Sequence, residues 1–166
     1  MRRGFWAISA ACLFYALALV PAGQARDLQG RLGLGYNSEF ASSQATGGTP
    51  AISLKYGLTR DLAASLLLGM KTGSPNSSVI GGKFFKNLFF ETNLNFYFTA
   101  GLAMESISGS SGVELLSGFG AEFFIPGVES LGFSVETGAS YSSLGGHSTL
   151  KTIGVSFLDA GIHFYF

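Results

Sequence analysis

The stretch Leu131-Gly132-Phe133-Ser134-Val135-Glu136-Thr137-Gly138-Ala139-Ser140-Tyr141 alternates strictly. Leu131, Phe133, Val135, Thr137, Ala139 and Tyr141 fall on one face; Gly132, Ser134, Glu136, Gly138 and Ser140 fall on the other. Period two is the signature of a strand with unlike faces, and a helix would smear the two sets together. Leu94 to Glu105 repeats the pattern, with Leu94, Phe96, Phe98, Ala100, Leu102 and Met104 set against Asn95, Tyr97, Thr99, Gly101, Ala103 and Glu105.

The same parity, broken by Gly, Ser, Pro, Asn and Asp, predicts eight strands: Leu28–Asn37, Ala51–Leu58, Leu62–Lys71, Ser78–Phe85, Leu88–Glu105, Val113–Phe124, Leu131–Ser142 and Thr152–Phe166. An even count suits a closed single-chain barrel. The expected connections alternate between tight (Thr59-Arg60-Asp61, Lys86-Asn87, Ile125 to Ser130) and longer and polar (Ser38 to Pro50, Thr72 to Ser77, Ser106 to Gly112, Ser143 to Lys151). Short turns on one side and longer loops on the other are the habit of barrels in bacterial outer membranes. The fold class expected is therefore all-β: an eight-stranded antiparallel up-and-down transmembrane barrel.

Composition decides which face meets lipid. Charged residues are 12% of the 166, about half the usual share, while Phe at 16 and Gly at 24 are high. A Lys or Arg on the lipid face at mid-depth costs roughly 2–4 kcal/mol, so the charges belong inside. With Leu, Phe and Val outward, the inward set holds Arg31, Lys55, Lys71, Glu105, Glu114, Glu122, Glu136, Asp159 and His163. Strands one to three supply the cations and strands five to eight the anions of an expected lumen ion network. Lys83 stays open: a two-residue turn at Lys86-Asn87 faces it outward and a looser one faces it in. A lipocalin-like soluble barrel would reverse the polarity, enclosing the apolar set. Girdles at the two interfaces are expected from Tyr36 and Tyr141 at one end and Tyr56, Phe123, Phe164 and Phe166 at the other.

The amino terminus reads as an address. Arg2 and Arg3 precede an apolar run from Phe5 to Val20, followed by Pro21, Ala22, Gly23, Gln24 and Ala25, with small residues at −3 and −1 of a cut after Ala25. The run is short of the roughly 20 residues a membrane helix needs. Residues 1–25 are expected to be a cleaved Sec-type signal peptide and residues 26–166 the barrel domain. Cys12 is the single cysteine and lies in the leader, so the expected mature chain has neither disulfide nor thiol chemistry. Eight of the 10 Lys and Arg remain against 10 Asp and Glu, a net of −2, which leaves no nucleic-acid footprint.

The last eight residues, Asp159-Ala160-Gly161-Ile162-His163-Phe164-Tyr165-Phe166, resemble the carboxy-terminal β-signal of outer-membrane proteins, in Asp159, Gly161, Phe164 and Phe166. The whole pattern is similar to the small eight-stranded barrels of the OmpA/OmpX-like superfamily. That resemblance implies a Gram-negative outer-membrane, porin-like protein of the cell envelope whose final strand is recognised by the barrel-assembly machinery, with lipid and lipopolysaccharide around a monomer.

Catalysis finds little support in the residues. His147 and His163 are the histidines available as a general base. Asp159 and His163 share a face, but four residues along a strand is about 13 Å, too far for a hydrogen bond. Lipid A deacylases carry His-x-Ser-Asn near the outer rim, and this chain departs from it with His147-Ser148-Thr149. No cluster has metal-ligand spacing, and Gly33-Leu34-Gly35 and Gly118-Phe119-Gly120 alternate within strands instead of cradling a phosphate before a helix. The expectation is no enzyme, no cofactor and no metal. An eight-stranded interior is just wide enough for side chains to fill, so a plugged polar lumen with a structural or cell-surface role is expected. A narrow ion or water pore is the alternative, and a lipid A-modifying enzyme a second.

Overall fold

The computed structural model describes residues 27–41, 48–154 and 158–166, so the expected signal peptide lies outside the described residues. The strands are β1 (Leu32–Asn37), β2 (Ala51–Gly57), β3 (Leu62–Lys71), β4 (Ser77–Glu91), β5 (Leu94–Ile107), β6 (Ser110–Ile125), β7 (Val128–Leu144), β8 (His147–Thr152) and β9 (Asp159–Tyr165). Each pairs antiparallel with its neighbour, and pairing of β1 with β9 and of β6 with β7 closes the sheet. β8 and β9 share one partner: β8 lies on Ala139–Leu144 of β7 and β9 on Leu131–Glu136. They form a single broken stave, and the result is a closed eight-stranded up-and-down barrel.

Closure removes the sheet edges, whose unpaired backbone groups would each cost several kcal/mol in an apolar medium. Polarity runs opposite to that of a water-soluble barrel. Leu54, Leu68, Ile80, Phe84, Leu102, Leu115 and Phe119 are exposed, whereas Lys55, Lys83, Glu122 and Glu136 are at most 3% exposed. The aromatic residues expected at the two rims, Tyr36, Tyr141, Tyr56, Phe123, Phe164 and Phe166, all face outward.

Several boundaries differ from the sequence expectation. Lys86-Asn87 is no turn: β4 runs on to Glu91 and β5 begins at Leu94 instead of Leu88. Asn93 takes a left-handed φ of 59°, which asparagine tolerates well, and a bulge after Asn87 absorbs the odd residue. Two connections expected to be long are tight. Ser108-Gly109 (φ 50° and 84°) and Gly145-Gly146 (57° and 82°) have positive φ at both central positions, the hairpin geometry whose twist matches the flanking strands. The polar residues around them extend β5 to β8. The expected first strand starts at Leu32, not Leu28, and the expected last strand is interrupted after Thr152, where Gly154 takes a φ of 74°.

Candidate functional site

The interior is a polar column with an apolar plate across it. Near the end that bears β9, Lys55 donates to Glu122 Oε2 at 2.8 Å and Tyr165 donates its hydroxyl proton to Oε1 at 2.6 Å. The Lys55 ammonium also lies 4.3 Å from the centre of the Phe85 ring, within cation–π range. Arg31 donates to the Tyr165 carbonyl at 3.1 Å.

The middle of the column centres on Lys83, which donates to both Glu39 and Glu136, the latter at 2.6 Å. The Tyr97 hydroxyl donates to the other Glu136 oxygen at 2.9 Å. Gly120 makes room for that ring, since a Cβ there would stand 2.7 Å from it. Glu39 arrives on the segment after β1, which turns into the barrel instead of lengthening the wall. Its amide donates to Asn37 Oδ1 at 2.9 Å, and Asn37 Nδ2 and the Ser38 hydroxyl reach Asp159 at 3.2 and 3.3 Å.

Above lies the plate, in which Phe40 packs among Ala51, Leu67, Val79, Ala103, Leu116 and Ile153. Beyond it the Ala41 amide donates to Glu114 Oε2 at 2.7 Å, Lys151 Nζ lies 3.2 Å from Oε1, and Ser142 donates to Glu105. Thr49 and Ser77 share a 2.6 Å hydrogen bond that ties the return of the same segment to β4.

Of the residues expected in the network, Lys55 with Glu122, and Glu136, fall in these clusters, and Asp159, Glu114 and Glu105 each have the partners just given. Lys71 stands half-buried at the end of β3. Lys83 faces inward, because β4 continues unturned past Lys86 and its odd residues up to Phe85 keep one face. Glu39 was invisible to strand parity because it lies in a connection. Buried charges within one narrow cylinder demand pairing, since removing one partner of a buried pair leaves an uncompensated charge.

His163 does not meet Asp159. Its Nε2 lies 2.9 Å from the Ser53 hydroxyl and its Nδ1 is 4.0 Å from Glu122 Oε1. This serine–histidine–carboxylate order resembles a nucleophile relay, yet the last step exceeds hydrogen-bond reach and Glu122 already serves Lys55 and Tyr165. Ser53 is 2% exposed, enclosed in the interior beside His163. His147 sits exposed in the last hairpin, with Nδ1 3.2 Å from the Gly145 carbonyl. Among the described residues no group of three His, Cys, Asp or Glu is placed to hold a metal ion.

No family model matches the sequence, and no curated protein matches it. Among solved structures, the crystal structure of the N-terminal β-barrel domain of Pseudomonas aeruginosa OprF superposes with a TM-score of 0.56 at 19% identity, over 83% of this chain and 98% of that one. At that identity the likeness speaks for architecture alone: the chain shares the β-barrel fold of that domain.

Proposed function

We propose that the protein is an integral outer-membrane barrel with a structural or cell-surface role, its polar interior closed by its own side chains. The observation that carries this reading is the inverted polarity, with leucine and phenylalanine exposed around the wall while Lys83, Glu122 and Glu136 are buried within it. Such a surface is costly in water and matched to hydrocarbon. Further support comes from the leader-like residues 1–25, the ending in Phe166 and the OprF-like fold. On this reading the chain is exported, inserted by the barrel-assembly machinery and surrounded by outer-membrane lipid as a monomer, with its termini on the periplasmic side. It performs no chemistry; the buried Ser53 and the engaged Glu122 support that. Gel migration of the membrane fraction tests the proposal. A folded barrel migrates differently before and after boiling, and recovery in the soluble periplasmic extract overturns it.

A narrow pore is the second reading, favoured by one observation: Lys83 contacts two carboxylates from different elements, Glu39 and Glu136, and so has an alternative partner at hand. Planar-bilayer recordings separate the two. Unitary openings that change with Glu136→Gln or with neutralisation of Arg31 establish a pore, and a silent bilayer holding heat-modifiable protein establishes the closed barrel. Unaltered lipid A mass spectra with and without the protein are expected.

A further inference from the structure

The segment after β1 fills the half of the lumen remote from the termini, yet residues 38–41 and 48–50 belong to no strand of the wall. Its amides bond to side chains or within the segment: Glu39 to Asn37 Oδ1, Ala41 to Glu114 Oε2, and Thr49 to the Phe40 carbonyl at 3.3 Å. The barrel closes without it, through the β1–β9 and β6–β7 ladders. The segment is thus an insert, and the wall is shaped around it. A Cβ at Gly101 would stand 3.0 Å from the Phe40 ring and 2.8 Å from Lys83 Cγ, so the wall is bare where these two side chains lie together.

The space the insert occupies has a definite chemistry. Phe40 sits in an apolar ring of Ala51, Leu67, Val79, Ala103, Leu116 and Ile153. Beside that ring the Lys83 ammonium donates to Glu39, although Glu136 of the wall already balances its charge at 2.6 Å. Glu39 is therefore a second carboxylate on one cation. Withdrawing the insert leaves Lys83 with Glu136 and Glu114 with Lys151, so each of these wall charges keeps a partner. A hollow of about 190 Å³ at the β7–β8 hairpin, lined by Glu105, Ser142, Thr149 and Lys151 among others, borders the apolar ring through Glu105, the ladder partner of Val79.

We infer that Glu39 and Phe40 are a tethered occupant of a binding cup for a small amphipathic carboxylate, whose apolar body takes the Phe40 ring and whose carboxylate takes Lys83. The two side chains show that the cup holds both parts at once. A neutral amphiphile gives Lys83 no charge-assisted hydrogen bond and gains less there. A tethered group acts at an effective concentration in the millimolar range, so a free ligand at comparable concentration competes with it. The inference adds a ligand to the closed-lumen reading, and it rests on the outer-membrane reading only for the side from which that ligand arrives.

Isothermal titration calorimetry with 4-phenylbutyrate, on the folded chain in detergent micelles, tests it. Glu39→Gly/Phe40→Gly is expected to bind one equivalent, about 10-fold or more tighter than it binds 4-phenylbutanol and than the native chain binds the acid. Replacing the wall pair as well, with Lys83→Met and Glu136→Gln, abolishes the preference for the acid without leaving a lone charge. Phe40→Ala, which retains Glu39, reverses the preference and decides the matter should the double variant not fold. In Phe40→Trp, whose indole is the single one after the expected leader, saturating acid shifts the emission to the red as the insert leaves. Equal binding of acid and alcohol by the emptied chain, the same order of preference in Phe40→Ala as in the double variant, or an unmoved emission overturns the cup. Each sample is checked for heat-modifiable migration. A chain that keeps that shift while failing these tests sinks only this inference, and a chain soluble without detergent sinks the membrane reading.

Discussion

At the scale of single residues, Lys83 concentrates the electrostatics of the interior. Its ammonium is 2% exposed and serves Glu39 and Glu136 together, and Tyr97 completes the set. Lys83→Met removes the cation and leaves two carboxylates buried against each other, a loss of about 3–5 kcal/mol. Urea titration in lipid vesicles, read by gel migration, measures it. Adding Glu39→Gln and Glu136→Gln to that variant recovers most of the loss, because replacing a whole buried cluster is far cheaper than halving it. A single variant as stable as the native chain would contradict this account. The sequence alone left Lys83 undecided, because its facing was tied to a turn expected at Lys86-Asn87, whereas the hairpin turns at Thr92-Asn93. Glu39 could not be found by alternation, since a residue outside a strand has no parity to read. The cross-barrel partners Lys55 and Glu122, or Ser53 and His163, lie 67 and 110 residues apart, so only the register of closure brings them together.

At the scale of elements, alternation located the staves well and their ends poorly. Leu131 to Tyr141 is strand throughout, as its two faces require, and Leu94 to Glu105 likewise. The ends misplaced at the β5–β6 and β7–β8 hairpins share a cause. Serine and glycine were taken as loop formers, but between β5 and β6, and between β7 and β8, they continue the ladder and confine the turn to two residues. The join of β1 to β9 brings two backbones too close together to admit a side chain at Gly35. A Cβ at Gly35 would lie 2.0 Å from the Ile162 carbonyl and 2.5 Å from the His163 ring, and a backbone carbonyl cannot swing aside. Gly35→Val should therefore prevent closure, so that the refolded chain shows only the boiled mobility in semi-native gels. Gly82→Ala, whose Cβ would be 3.3 Å from its nearest neighbour, should retain the shift.

At the scale of the whole molecule, one inequality organised everything: charges cost more against lipid than apolar groups cost inside a narrow lumen. That inequality was legible from composition, and with strand parity it separated the outward Leu54, Leu68 and Leu102 from the inward Lys55, Glu122 and Glu136, though it did not orient Lys83. Sidedness is its untried consequence. Arg60 and Lys86 are exposed at the rim shared with the termini, where Lys86 pairs with Asp61 at 3.2 Å. On the proposed orientation, trypsin added to intact cells spares the Arg60–Asp61 bond and cuts it once the outer membrane is permeabilised. Cleavage in intact cells would invert the molecule.

The ladder joining β1 to β9 holds four residue pairs, against fourteen in the β4–β5 and β6–β7 ladders. Backbone hydrogen bonds resist shear in proportion to how many share the load, so the cylinder has a built-in fault line. Under lateral tension it tears there and unfurls as one sheet.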